Sequence, residues 1–449
     1  MIKRLNIKDN FYAILYRLRT ANPIRLVVFG YLSYIFIGFV LLCMPFMHKI
    51  YVNPLDNLFI ATSAVSTTGL TTVIVSDDYN FWGQLVILVL IQLGGIGYMT
   101  FSSFVILSTK KYLDGRTKNI EQTVFSIPNN FKIEKFVLSV VRFTAVIEIL
   151  GAIGLFFVFW QKGVVNPLWS AIFHSVSSFC TAGFSLFPNS FEGFANNFYI
   201  NAIISVLSIL GAMGFIVCVD VWRLIKGKQK RVTLTTKVIF TITFWLLLIG
   251  SVLMFLTESF GGDITPENRI LFSLFQAMTA FTTVGFNTVN ISTMSKSAIM
   301  LICILMIVGA SPSGTGGGLK TTTFSAIWGL MKSAIKGEKD VHIFSEIVPE
   351  DRIKTAIATL SFYISTLIIG TYLLTLTENG EFLDIFFEAA SALGTVGLSM
   401  GITTGLTILG KLIVILMMYI GRVGPLTFGM ALYVKPELIF DNERSDLAI

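Results

Sequence analysis

Four glycines, Gly69, Gly183, Gly285 and Gly397, sit in one recurring pattern. A threonine lies two residues before each (Thr67, Thr181, Thr283, Thr395) and a small hydroxyl six before (Ser63, Ser177, Thr279, Ser391). A phenylalanine lies ten before (Phe59, Phe173, Phe275, Phe387), and Leu or Phe follows each glycine. The chemistry on offer belongs to the main chain. Glycine reaches positive φ freely and lets backbones approach closely, while the β-branched threonine favours extended backbone. Four such segments around one axis can aim carbonyl oxygens inward and replace the hydration shell of an ion. The segments are Val65, Ser66, Thr67, Thr68 and Gly69; Phe179, Cys180, Thr181, Ala182 and Gly183; Phe281, Thr282, Thr283, Val284 and Gly285; and Leu393, Gly394, Thr395, Val396 and Gly397. None contains a carboxylate, whereas a calcium or magnesium pathway would use acidic rings, so a monovalent, weakly hydrated cation fits best. A single Thr-x-Gly means little, because small residues also let membrane helices pack. Its fourfold return at matched offsets carries the argument against that packing-only reading.

The elements that must hold these segments follow from hydropathy. The 449 residues are 54% hydrophobic and only 13% charged, with a mean hydropathy of +0.77, more apolar surface than a water-soluble core can hide. Runs of roughly 20 apolar residues, enough to cross a bilayer, lie near 24–46, 81–107, 136–160, 198–222, 238–257, 355–376 and 406–433, and an interrupted eighth spans 297–335. Before each patterned glycine stands about a dozen helix-compatible residues, too short to span and read as a re-entrant pore helix. A second glycine-rich cluster follows each one, beginning at Leu93, Leu210, Val308 and Ile420. The expected fold is an all-α membrane protein of four membrane-pore-membrane repeats, with eight transmembrane helices and four re-entrant pore helices around a central pore. The boundaries are a cytoplasmic N-terminus 1–23, repeats at 24–118, 119–231, 232–345 and 346–436, and a cytoplasmic tail 437–449.

Basic residues set the orientation. Lys3 to Arg25, Lys110 to Arg142, Arg223 to Lys237, Lys332 to Lys354 and Lys435 to Arg444 hold 26 of the 33 Lys and Arg, so these stretches and both termini face the cytoplasm. The net charge of +7 then reflects topology and not nucleic-acid binding. The four cysteines are isolated in apolar segments, without zinc or disulfide spacing. The three histidines are scattered, and no nucleophile-base arrangement of an enzyme can be assembled.

Two features lie below the expected ring. Gly309, Ala310, Ser311, Pro312, Ser313, Gly314, Thr315, Gly316, Gly317 and Gly318 cannot continue a helix, so the eighth run breaks at mid-membrane, where irregular backbone must be buried or face water. A kink that merely aids packing is the simpler reading. A phosphate loop is excluded, because Leu319 stands where a glycine would have to precede Lys320. Arg422, deep in an apolar run at the repeat offset of Ala310, needs partners: carbonyls of the 309–320 loop, or else Glu388 or Glu148.

These residues resemble the Trk/Ktr/HKT superfamily of potassium transporters, and most of all the membrane subunit of bacterial Ktr systems. The resemblance runs from about Arg25 to Pro436 and rests on the four single filter glycines; Thr-Thr-Val-Gly-Phe and Gly-Thr-Val-Gly-Leu of repeats three and four come nearest to the channel pattern. It implies potassium uptake across the bacterial cytoplasmic membrane, with 309–320 and Lys320 as an intramembrane gating loop and Arg422 as an electrostatic barrier beside it. It further implies a homodimer in the lipid bilayer and a cytosolic ring of RCK-type nucleotide-binding regulatory subunits, with Thr109 to Lys118 and Arg223 to Lys237 as docking surfaces. No cofactor is implied on the chain; K+ is carried, and Na+ is a candidate coupling or activating ion. Gly69 favours potassium, since a serine in the first repeat goes with sodium permeation in this family. The rival readings are a secondary transporter of another small substrate, which would need inverted repeats, and the potassium-binding subunit of a P-type pump.

Overall fold

The computed structural model describes residues 23–97, 133–259, 265–312, 314–344 and 346–433. The segment 109–118, Ser313 and the tail 437–449 lie outside the described residues, as does all but the last residue of the expected N-terminal region 1–23.

Helix dominates. Four helices lead, α1 (Pro23–Leu42), α4 (Ile133–Gln161), α8 (Leu234–Thr257) and α12 (Glu350–Thr377). Each is followed by a short helix: α2 (Pro54–Ser66), α5 (Pro167–Phe179), α9 (Pro266–Thr282) and α13 (Phe382–Gly394). The chain then returns in α3 (Phe81–Ile96), α6 (Phe198–Met213), α10 (Lys296–Ile307) and α14 (Ile408–Val423). Continuations α7 (Phe215–Ile225), α11 (Thr321–Lys336) and α15 (Pro425–Tyr433) follow the last three of these, and a hairpin of β1 (His342–Ile343) and β2 (Glu346–Ile347) follows α11.

The short helices start where the sequence dictates. Pro54, Pro167 and Pro266 each open a helix, a position where the missing N–H costs nothing. Asn53 and Thr265 cap two of them by accepting the Leu55 and Asn268 N–H groups. At 13 to 17 residues they reach about 20–26 Å, short of the roughly 30 Å hydrocarbon core.

Packing makes a closed circle. Each short helix packs between the leading and returning helices of its own unit, and also against the returning helix of the unit before it: α3 on α5, α6 on α9, α10 on α13 and α14 on α2. The last of these joins the fourth unit to the first. Phe59, Phe173, Phe275 and Phe387 are all at most 2% exposed, which accounts for their shared offset. The polarity is that of a membrane protein, the reverse of a water-soluble one. Phe29, Ile149, Trp160, Trp245, Leu256 and Ile368 are exposed, while serines and threonines of the short helices are fully buried.

Among the described residues, by length and composition, α8, α12 and residues 138–161 of α4 are each able to cross a membrane, or up to five spans if each of two bent pairs is counted as one. The runs expected to be continuous at 198–222 and 406–433 are in fact bent, by 99° after α6 and 98° after α14. Gly214 and Gly424 sit at the bends with φ of +88° and +92°, a conformation that glycine adopts without strain. The returning helix is therefore interrupted in the second and fourth units as well as in the third, where the break had been anticipated.

Candidate functional site

Each patterned segment leaves its short helix through the same cap. The Thr67 N–H donates to Ala64 O and the Thr68 N–H to Ser63 O; the same pair of bonds recurs at Thr181 and Ala182, at Thr283 and Val284, and at Thr395 and Val396. This is a left-handed helix terminus that satisfies two otherwise orphaned carbonyls. It also corrects an expectation. The four threonines, expected to be extended because they are β-branched, have φ of +52°, +49°, +59° and +50°. Such backbone costs on the order of 1–3 kcal/mol per residue and persists only where the surroundings enforce it; the helix cap enforces it here. The hydroxyl six before the glycine has a role too: Ser63 and Ser391 accept the Gly69 and Gly397 N–H groups at 3.0 Å, and Ser177 donates to Phe184 O at 2.8 Å.

The glycines form a ring. A Cβ placed on Gly69 would lie 3.1 Å from Gly183 Cα, one on Gly183 3.3 Å from Gly285 Cα, one on Gly285 3.1 Å from Gly397 Cα, and one on Gly397 3.0 Å from Gly69 Cα. Each such Cβ would also collide with the carbonyl oxygen of the neighbouring segment, from Ala182, Val284, Val396 and Thr68 in turn. Residues 102 to 328 positions apart in sequence thus meet around one axis, and the close approach accounts for glycine at all four places. One face of the ring forms the floor of a cavity of about 340 Å³, lined also by Thr71, Ser185, Asn287 and Ser399. Glu192 is the one charged residue among the cavity's lining side chains. Its carboxylate accepts from Asn287 Nδ2 at 2.7 Å, and burial raises its pKa above the ordinary value, with the Asn287 bond opposing.

The opposite face carries the four threonine side chains, and the glycine-rich loop closes it. Thr315 Oγ1 donates to Phe179 O at 3.1 Å and lies 3.0 Å from Thr181 Oγ1, and Thr67 Oγ1 donates to Thr315 O at 3.2 Å. Gly316 and Gly317 lie against Thr283 and Thr395, so closely that a Cβ on Gly317 would stand 3.0 Å from Thr395 Cβ. Three consecutive loop residues thereby seat on all four threonines. The loop is tied to α6 by Ser311 N–H to Ala212 O and Thr315 N–H to Gly211 O, and braced by Lys320 Nζ, which donates to Gly316 O and Gly317 O. Gly309, Ala310, Pro312, Gly314 and Gly318 complete its buried or nearly buried path.

Arg422 reaches the loop. Its guanidinium donates to the Thr315 and Gly94 carbonyls, to Gly95 O at 3.3 Å and to Thr67 Oγ1 at 2.9 Å. Of the alternatives considered for it, carboxylates play no part. Glu148 bonds Gln92 Nε2 at 3.0 Å, and Glu388 accepts from Ser399 and Thr403.

The family model for TrkH, a cation transport protein, matches residues 15–437. This chain belongs to the TrkH cation transport family. It is 34% identical over 428 residues to the potassium/sodium uptake protein NtpJ of Enterococcus hirae, covering 92% of this chain and 93% of that one. It is likewise 34% identical over 412 residues to the Ktr system potassium uptake protein B of Bacillus subtilis, covering 91% and 92% of the two chains. The crystal structure of the potassium transporter TrkH from Vibrio parahaemolyticus matches with a TM-score of 0.70 over 90% of this chain and 84% of that one, at 20% identity, a likeness of fold.

For a TrkH-family transporter, and not an enzyme, chemistry by side chains is not required of the ring. Several residues of this site escape a reading by motif. Gly94 and Gly95 supply carbonyls to Arg422 from 327 to 328 positions away; they belong to the recurring glycine-rich cluster that begins at Leu93, but nothing in it points to the arginine. His174, one of the scattered histidines, lies on a short helix, and its offset of nine residues from Gly183 is shared by Glu388 before Gly397.

Proposed function

We propose that this chain is the ion-translocating subunit of a Ktr-type potassium uptake system in the bacterial cytoplasmic membrane. On this reading the units at 24–118, 119–231, 232–345 and 346–436 are four membrane-pore-membrane repeats with eight crossings and both termini inside. The segments ending in Gly69, Gly183, Gly285 and Gly397 are the filter. The observation that carries the proposal is the closed circle of glycine neighbours, Gly69 to Gly183 to Gly285 to Gly397 and back. Main-chain oxygens arranged around such an axis replace the water of a potassium ion. The four short helices aim their C-terminal ends toward it, adding partial negative charge without a carboxylate.

The Thr315 to Gly317 seat under the threonines makes the 309–320 loop the gate, with Lys320 bracing it and Arg422 holding it shut and repelling cations. Opening is assigned to a cytosolic RCK-type ring acting on a homodimer of this chain, consistent with relatives named as parts of Ktr systems. The name of the Enterococcus relative, a potassium/sodium uptake protein, keeps Na+ as a candidate coupling or activating ion. Expression in a bacterium lacking potassium uptake tests the proposal: wild type is expected to restore growth at low potassium, and Gly285→Asp to abolish it at equal membrane abundance. Equal growth of the two would refute the filter assignment.

A further inference from the structure

Nine residues before the four ring glycines stand Ile60, His174, Gln276 and Glu388, and two residues after them stand Thr71, Ser185, Asn287 and Ser399. In two of the four segments these positions are bonded to each other across the back of the ring. Glu388, fully buried on α13, accepts from Ser399 Oγ at 2.8 Å through Oε2 and from Thr403 Oγ1 at 2.5 Å through Oε1. His174, fully buried on α5, stands 3.1 Å from Ser185 Oγ through Nε2 and accepts the Leu186 N–H there at 3.2 Å. Its Nδ1 lies 2.7 Å from Ser170 O. A carbonyl can only accept and an N–H only donate, so the ring is the neutral tautomer with its proton on Nδ1, and Nε2 accepts from Ser185 as well. The imidazole is clamped by Phe187, stacked at 4.6 Å, and by Phe191 edge-on at 5.0 Å.

The other two segments have no such tie. Ile60 has no polar atom, and the Gln276 amide is buried with no hydrogen-bond partner among the described residues. Asn287 instead bonds Glu192 and Val289 O. In the order of the ring, the tied segments of Gly183 and Gly397 stand opposite each other, as do the untied pair.

We infer that His174 and Glu388 are positioning residues that hold the cavity-side ends of two opposite segments, and through them set the ring's discrimination among monovalent cations. The inference rests on the filter reading given above. Carbonyl oxygens choose between ions by how far they can close on the smaller one. A segment anchored by a buried carboxylate or imidazole bond resists that closure, whereas the other pair lacks a buried side-chain tie from its short helix at this offset. The two struts differ in chemistry but act at the same offset and on the same hydroxyl.

The test uses the full chain in proteoliposomes, with K+ and Na+ uptake compared in Ser185→Ala, Ser399→Ala, Glu388→Ala, Glu388→Gln and His174→Ala, and with melting temperatures measured on the same preparations. Losing a strut bond to a buried partner is expected to lower the K+/Na+ ratio about tenfold, with K+ uptake retained, in the two serine variants, which remove only a hydroxyl, and in Glu388→Ala. Glu388→Gln keeps an acceptor oxygen and is expected to recover most of the ratio. An unchanged ratio in Ser185→Ala and Ser399→Ala at wild-type melting temperature overturns the inference. So does a parallel fall of both ion fluxes with melting temperature, which would mark a merely structural role. A Gly285→Asp arm keeps the two claims apart: if that variant transports normally, the filter reading itself has failed, whatever the struts do.

Discussion

The two faces of the glycine ring are built on different plans. The backbones of the four segments are near copies, with the same cap and the same left-handed threonine, although among the described residues only two are tied on the cavity side by the buried side chain nine residues before the glycine. On the loop face that likeness ends: one returning helix gives way to a glycine-rich loop, another carries an arginine, and a third supplies the carbonyls that arginine binds. Likeness around an axis is what coordination by equivalent oxygens requires. Obstruction needs only a single loop, and a single loop can be moved without disturbing the four segments above it. On the proposed reading, this architecture separates choosing an ion from admitting it.

The largest effect expected from breaking this division is on the loop face. Arg422→Ala removes four donated hydrogen bonds and a positive charge held at membrane depth, where it is poorly screened. Basal Rb+ flux through the reconstituted chain alone is expected to rise about tenfold, with Arg422→Lys intermediate because an ammonium lacks the planar fork. Unchanged basal flux in Arg422→Ala would remove the arginine from the gate and make the loop face a packing feature.

A second prediction concerns the seam where the circle closes. Lys411 of α14 and Asp56 of α2 pair at 2.6 Å, with side chains only 16% and 14% exposed, and no comparable ion pair joins the other units among the described residues. Asp56→Asn is expected to destabilise the chain by about 1–3 kcal/mol, less than for a fully buried pair because water reaches both groups. The double variant Asp56→Asn with Lys411→Met is expected to recover part of this loss. Thermal unfolding in detergent measures both, and additive losses in the double variant would show that the two groups are not coupled.

The smallest effect is expected at the cavity. On the proposed reading Glu192 is a charge that draws cations to the ring, a benefit that is long-ranged and screened by salt. Glu192→Gln is expected to lower K+ uptake about two- to threefold at low ionic strength and hardly at all at high salt. Burial raises the pKa of this carboxyl, with the Asn287 bond opposing, so its charge, and the uptake it supports, is present above that raised value and is lost as pH falls through it. In Glu192→Gln that acid limb is expected to flatten. An identical pH profile in the two proteins at low salt would assign the limb to another group.

The sequence made the cavity face legible and most of the loop face illegible, for a physical reason. The glycine, the hydroxyl six before it and the phenylalanine ten before it answer the same need in every unit, whether a bond within it or the close approach of the next, and so they leave matched offsets. Ser63 and Gly69 are six residues apart and directly bonded. The partners of Arg422 lie in other units, 107 to 355 positions away; the loop carbonyl among them is anticipated from the loop's composition, but no spacing points to Thr67, Gly94 or Gly95. The left-handed threonines were missed because β-branching argues for extended backbone until the cap bonds are seen. The bends at Gly214 and Gly424 were missed because an apolar run hides a break that a lone glycine can make. The loop at 309–318 was legible because five glycines and a proline leave no helix to hide in.

The central claim is that carbonyl oxygens of four segments share one ion, and an experimental map of the protein in Rb+ or Tl+ tests it most directly. The heavy cation is expected on the axis between Gly69, Gly183, Gly285 and Gly397, in a site formed by main-chain oxygens and absent from the Gly285→Asp protein. Anomalous signal confined to side-chain carboxylates such as Glu192, with none inside the ring, would contradict it.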